Sequence, residues 1–409
     1  MLFQRSAGPA LLILLISCPA AAAAQGELSL TLQEALALAR ERAPAVLGAR
    51  ARVEEARGQL LAASVRMRGN PVLDANAGRR SAGGDDFTDV EVGVTQGLGV
   101  VGRRTARIAA AEAGVSVEAA NGEETTRRLV LEAGEAFLRS LHATQRLEIL
   151  RHSQDVAAEI ARVAERRFQA GDIAVLDVNV ARAGQARTLS EVLSAGSELR
   201  AALGELKILL GLRADESPVI RGELDRLPAY ELSTLVEQAP RRPDIIALGA
   251  RIEQAEAEAR VAATSGRPEL DVGVRYKEEE DATVVLGGLA VSLPVLDRGQ
   301  GALAEARARA LRLRIEHDAL RQAAEMEVRT MFETYQQRLE AALALRQVIP
   351  VVSENEELAG RSYETGQIGL VELLLIRRDA LEIRLLHLDR TLEAVVAGIR
   401  LEASAGVLR

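Results

Sequence analysis

A mainly α-helical chain with a small β part is predicted, built as two copies of one plan, and three observations predict it. Ala, Leu, Glu and Arg dominate the 409 residues while aromatics supply 2%, a composition of long helices packed through small side chains. Motifs of the first half recur, in order, in the second. Each half also holds two strand-length stretches, all but the first of which (Val72 to Arg80) alternate apolar and polar residues, followed by a helical pattern far longer than a globular helix needs.

Composition excludes several functions at once. With 59 Asp+Glu against 51 Lys+Arg, the chain lacks the cationic surface of a nucleic-acid binder. One Cys rules out a disulfide framework and Cys-based zinc or iron–sulfur centres, and four scattered His make no metal-ligand pattern. No cofactor is indicated.

The first 24 residues read as an address. Arg5 is followed by the apolar run Ala10 to Ile16, then Ser17, Cys18, Pro19 and five alanines, the layout of a secretory signal peptide cleaved after Ala24. A competing reading takes Leu15 to Cys18 as a lipobox, with Cys18 lipidated at the mature N-terminus. Both readings export the protein. No later apolar run is long enough to span a membrane as a helix.

The repeat is carried by several ordered matches. Arg42-Ala-Pro44, with the Glu54-Glu-Ala56 that follows, is echoed by Arg242-Pro243 and Glu253-Gln-Ala255. Phe168-Gln-Ala-Gly171-Asp-Ile173, with Asp177, is echoed by Tyr363-Glu-Thr-Gly366-Gln-Ile368, with Glu372. The offsets are roughly 195–199 residues, which divides the chain into residues 25–211, a linker at 212–231, and residues 232–409.

In the first half, Thr31 is a candidate N-cap for a helix over 32–43, with Glu34 completing a capping box. Pro44 starts a second helix reaching about Arg68. Strands are predicted at about 71–80 and 88–98, the second from the alternation of Val90, Val92 and Val94 with Asp89, Glu91 and Gly93. A long helix over 103–168 and a return helix over 173–211 follow, with Gly171 at the turn. In the second half, a helix over 243–265 precedes strands at about 269–277 and 283–293, the first with Leu270, Val272, Val274 and Tyr276 on one face. A long helix over 299–365 carries the stripe Leu320, Ala324, Val328, Met331, Tyr335, Leu339 and Ala342, and Pro350 is expected to kink it. Gly366 marks its turn into a return helix over 368–405. Strands of about ten residues suit a tilted crossing of a bilayer, and helices of this length would reach roughly 100 Å.

With Leu30 to Leu36 at the start, the two Pro-led helices, Gln96-Gly-Leu and Gly102-Arg-Arg104 after the second strand, and Ser292 to Gly301 after the fourth, the whole mature chain resembles the TolC family of outer-membrane efflux proteins. The Asp297-Arg298-Gly-Gln-Gly301 exit is most similar to its heavy-metal (CzcC-like) branch. One departure is Gly97, where the family commonly has Pro; it softens the strand exit without touching function. The resemblance implies a homotrimer in which each chain gives four transmembrane strands to a 12-stranded barrel in outer-membrane lipid, continuous with a long periplasmic α-helical barrel. It further implies a passive channel, not an enzyme, joined through a periplasmic adaptor to an inner-membrane RND-type pump, with heavy-metal cations as cargo; drug efflux or type I secretion is the alternative within the family. Outside it, a soluble periplasmic coiled-coil scaffold is the alternative. Open strand edges argue for closure by other chains independently of the resemblance.

Read from the residues alone, the Gly171 and Gly366 turns are helix C-caps followed by solvated turns, and Glu372 is an exposed helix carboxylate. The resemblance implies instead that Gly171, Asp172, Ile173, Gly366, Gln367 and Ile368 form the adaptor-contact tip, that Glu372 belongs to a luminal acidic ring, and that Leu375 makes a second, apolar constriction of a periplasmic gate. Gly97-Leu-Gly99-Val-Val-Gly102 matches a dinucleotide-binding fingerprint, but the following helix is too long and no second strand is in reach, so a strand-to-helix bend is expected. His142, His152, His317 and His387 are expected at the surface, and the charged stretches 253–258 and 307–314 as solvated helix faces paired within each helix.

Overall fold

A computed structural model of the chain describes residues 28–408 except 68, 83–84, 225–226 and 280–281. The predicted export segment and Cys18 lie outside the described residues, as do parts of both hairpin turns.

The chain opens with β1 (Leu28–Leu30), α1 (Leu32–Arg42) and α2 (Pro44–Ser64). The capping box starts α1: the Glu34 amide donates to Thr31 Oγ1 at 3.4 Å and the Thr31 amide to Glu34 Oε2 at 2.8 Å. The Thr31 amide foremost, and then the Thr31 hydroxyl, which donates to the same oxygen at 2.8 Å, hold the Glu34 carboxyl below its ordinary value. Pro44 sits where a missing N–H costs nothing and sets α2 on its way. The hairpin β2 (Val72–Ala82) and β3 (Asp85–Gly99) follows, then the rod α3 (Arg103–Gln169) and its return α4 (Val175–Leu210). Beyond β4 (Pro218–Ile220) and α5 (Leu232–Gln238), the order repeats with α6 (Pro243–Ala263), β5 (Glu269–Glu279), β6 (Ala282–Ser292), α7 (Gln300–Glu364) and α8 (Leu370–Ser404). The helix begun at Pro44 ends four residues before the expected Arg68. The helix begun at Pro243 passes into a 3-10 turn at Thr264–Gly266. α7 stays helical through Pro350.

At 67 and 65 residues, α3 and α7 are each about 100 Å long. Each rod is covered by two shorter helices, α2 and α4 along α3 and α6 and α8 along α7, with α6 and α8 also touching α3. Alanine makes this approach possible: Ala35, Ala39, Ala133 and Ala136 are fully buried around Phe137, Leu206 and Leu210. The second cluster sets Ala324, Val328 and Tyr335 of the predicted stripe against Leu401. The span 212–231 is more than a linker, because β4 pairs in parallel with β1, Leu28 opposite Pro218 and Leu30 opposite Ile220, and so ties the two ends of the first half at the middle of the rods.

Candidate functional site

Two features stand apart from this helical scaffold: a sheet at one end of the rods and two turns at the other. The sheet has the order β2-β3-β5-β6, antiparallel throughout. Register fixes what each face carries, because residues directly opposite in neighbouring strands share a face. Val92 lies opposite Ala75 on one side and Tyr276 on the other, and Val94 opposite Leu73 and Val274. Val274 in turn faces Gly287, and Val272 faces Leu289. This face is apolar and bare: Leu289 is 74% exposed and Val274 60%.

The opposite face is charged across β2, β3 and β5. Arg275 Nε meets Glu91 Oε1 at 2.7 Å and Arg80 Nε meets Asp89 Oδ2 at 3.1 Å, both between adjacent strands. Gly93 leaves the space that Asp74 occupies; a Cβ there would stand 2.7 Å from its Oδ2. A soluble sheet buries its apolar face and wets its polar one. Here the apolar face is the one left uncovered, and eleven-residue strands tilted by about 45° rise roughly 26 Å, close to a hydrocarbon core. Among the described residues, β2 and β6 each pair along one edge only. The fingerprint glycines lie at the base of this sheet, where β3 ends at Gly99 and α3 begins at Arg103. The strand beside β3 is antiparallel, so no βαβ unit surrounds them.

The two turns at the far end are built alike. Gly171 donates to the Phe168 carbonyl at 2.9 Å and Asp172 to the Arg167 carbonyl at 2.9 Å. Gly366 donates to Tyr363 at 3.1 Å and Gln367 to Ser362 at 2.8 Å. This crossed pair of bonds closes a helix with a left-handed residue, and both glycines supply one, at φ 83° and 74°. The fold brings the turns together: Ile173 and Ile368 pack, half-buried, onto one cluster with Ala161, Val178, Tyr363 and Leu373. Gly171, Asp172, Gly366 and Gln367 are exposed beside it.

Asp177 and Glu372, equivalent by the repeat, differ in employment. Asp177 Oδ2 accepts the Ala174 amide at 3.3 Å and caps α4. Glu372, in the first turn of α8, is exposed and has no hydrogen bond or ion pair among the described residues. Leu375 is exposed one turn on, whereas Leu373 between them is 2% exposed. The sequence did not distinguish the two acids; the capping distance does.

Two expectations need correction. His142 is not a free surface residue: its Nε2 lies 2.7 Å from Asp389 Oδ1, joining α3 to α8. His387 is half-buried with Thr391 Oγ1 3.1 Å from its Nδ1. The charged faces of α6 and α7 also pair across helices, Arg309 with Glu258 at 2.9 Å and Arg314 with Glu256 at 2.5 Å, beside the pair Arg309–Glu305 within α7. No group of three metal-ligating side chains occurs among the described residues.

Known proteins share this arrangement. The family described as outer membrane efflux protein matches residues 35–212, most of the first of the two units. The cobalt-zinc-cadmium resistance protein CzcC of Cupriavidus metallidurans is 27% identical over 291 residues, 70% of each chain. The CmeC outer membrane channel of Campylobacter jejuni superposes with a TM-score of 0.77 over 92% of this chain and 85% of its own, at 16% identity. The MtrE outer membrane channel of Neisseria gonorrhoeae, in its open state, gives 0.71 over 92% and 89%, at 20% identity.

Proposed function

From the match of residues 35–212 to the outer membrane efflux protein family and the likeness to the cobalt-zinc-cadmium resistance protein, we propose that the chain is a member of that family and that three copies close into one passive export channel for heavy-metal cations. The protein is a channel component and not an enzyme. One observation carries the reading: a sheet with a bare apolar face, a charged opposite face and, among the described residues, two unpaired edges stands at the end of rods about 100 Å long. Lipid satisfies the apolar face but cannot satisfy the edges, so β6 of one chain pairs with β2 of the next until the barrel closes at twelve strands. The charged face then lines water. Below the membrane, the helix pairs of three chains form the periplasmic tube. Its tip meets the adaptor through the exposed turns at Gly171, Asp172, Gly366 and Gln367, with Ile173 and Ile368 stiffening them from beneath.

At that tip, three copies of Glu372 around the axis form an acidic ring followed by an apolar one at Leu375. Like charges so placed repel one another and attract cations. The metal cargo is supported by the likeness to the cobalt-zinc-cadmium resistance protein, and the energy comes from a pump reached through the adaptor. Deleting the gene and measuring tolerance tests the cargo: sensitivity to cobalt, zinc or cadmium supports it, whereas sensitivity to organic drugs alone moves the channel to drug efflux. Fractionation tests the assembly, with detergent-extracted outer-membrane trimers expected and release by periplasmic shock counting for a soluble scaffold.

A further inference from the structure

The structure holds a collar of arginines where the sheet meets the rods, and its bonding is unusual for so many charges. Contacts bring four segment ends to one level. Arg103 reaches Thr264 Oγ1 at 3.3 Å and also pairs with Glu269. Arg104 donates twice to the Ser64 carbonyl, at 2.8 and 3.1 Å, and Arg267 donates to the Val101 carbonyl at 2.7 Å. Arg66 and Arg298 stand on the same ends of the chain segments. Arg66, Arg104, Arg267 and Arg298 are exposed, and none has a carboxylate partner among the described residues.

The same level carries bare apolar side chains. Leu296 is 92% exposed and Val101 86%. At the opposite pole of the sheet β5 carries the exposed carboxylate of Glu278 near its end. A surface that presents exposed guanidinium groups without carboxylate partners beside uncovered apolar residues matches one environment, the rim of a phospholipid leaflet, where acyl chains and phosphates lie within a few ångströms. The chain has no Trp, so the indole anchors common at this depth are absent and another anchor must set the vertical position. Guanidinium is suited to that task because it binds phosphate oxygens in pairs.

We propose that Arg66, Arg104, Arg267 and Arg298 form a binding collar for the phosphates of anionic phospholipid in the periplasm-facing leaflet, with Val101 and Leu296 dipping into its acyl region. The collar fixes the barrel's depth and its orientation, basic end inward. This rests on the membrane-inserted reading above.

The full-length protein, reconstituted into phosphatidylcholine vesicles with and without an equal part of phosphatidylglycerol, tests both separately. Lipid retained after gentle detergent extraction is measured by mass spectrometry. Phosphatidylglycerol is expected to be retained preferentially, with each guanidinium worth about fivefold and the preference falling at high salt. The fourfold Arg→Gln variant should insert and lose the preference, and the fourfold Arg→Lys variant should keep most of it. Equal retention of both lipids by the natural protein overturns the collar, as does a preference that persists in the glutamine variant or ignores salt. Dissociation of the glutamine variant into single chains, with no lipid preference in the natural protein, assigns the arginines to the subunit interface instead. Failure to enter either vesicle sinks the membrane reading itself.

Discussion

Arg242 shows what a single residue does at the middle of the rods. Its guanidinium is buried, yet it meets Asp244 at 2.7 Å, Glu327 at 2.6 Å and the Ser404 carbonyl at 3.2 Å, closing the C-terminus of α8 onto the start of α6. Arg242→Met keeps the stem and strands Asp244; because Glu327 still reaches water, the expected loss is about 2–3 kcal/mol rather than the full cost of a broken buried pair, read by denaturant unfolding. His387 gives the pH dependence. Burial first, and Arg346 second, hold it below its ordinary value of 6.5. The unfolded chain therefore takes the proton more readily, so stability is whole above that ordinary value and is lost as pH falls through the depressed one. His387→Gln should flatten that slope in thermal melts across mildly acidic buffers. Glu372 is the residue on which the proposed gate depends. Glu372→Gln removes the charge without changing shape, and reduced cation preference in single-channel recordings is expected; unchanged preference would falsify its part in the gate.

At the scale of elements, much was legible because the signals are local. Strict alternation at Val90, Val92 and Val94, and again from Leu270 to Tyr276, announces strands, and the stripe from Leu320 to Ala342 announces one rod. The pairing of β1 with β4 was not legible: three residues carry no measurable period, and their partners lie about 190 positions apart in sequence. Nor could periodicity reveal that α6 and α7 exchange charge pairs, since each helix alone offers equally good partners within itself. The fold also makes unequal demands on like residues. Gly366 and Gly299 both hold left-handed conformations, at φ 74°. An added Cβ meets nothing at Gly366, but at Gly299 it falls 2.7 Å from Ser265 Cβ and 3.0 Å from the Ala262 carbonyl. Gly366→Ala should cost about 1 kcal/mol and Gly299→Ala distinctly more, since strain and clash add there. Hydrogen exchange at the tip and at the sheet base separates the two.

For the whole molecule, the decisive question is which solvent covers the apolar face of the sheet, and the sequence already posed it without the register that answers it. Alternation told which residues share a strand face; only the pairing of Val274 with Val94 and Gly287 shows that the apolar faces of neighbouring strands merge into one continuous surface. Val274 lies at the centre of β5 and is 60% exposed in the single chain. In a water-soluble protein, Val274→Arg at so open a site is nearly silent, changing stability by about 0.5 kcal/mol or less. In a barrel wall the same guanidinium sits at the bilayer midplane and costs about 2–4 kcal/mol. The substitution therefore separates the two environments without any knowledge of cargo or partner. The expected outcome is loss of outer-membrane trimers, with Arg275→Gln on the charged face leaving them in place. Trimers of Val274→Arg that assemble and resist heat as the natural protein does would mean that this face is covered by something other than lipid.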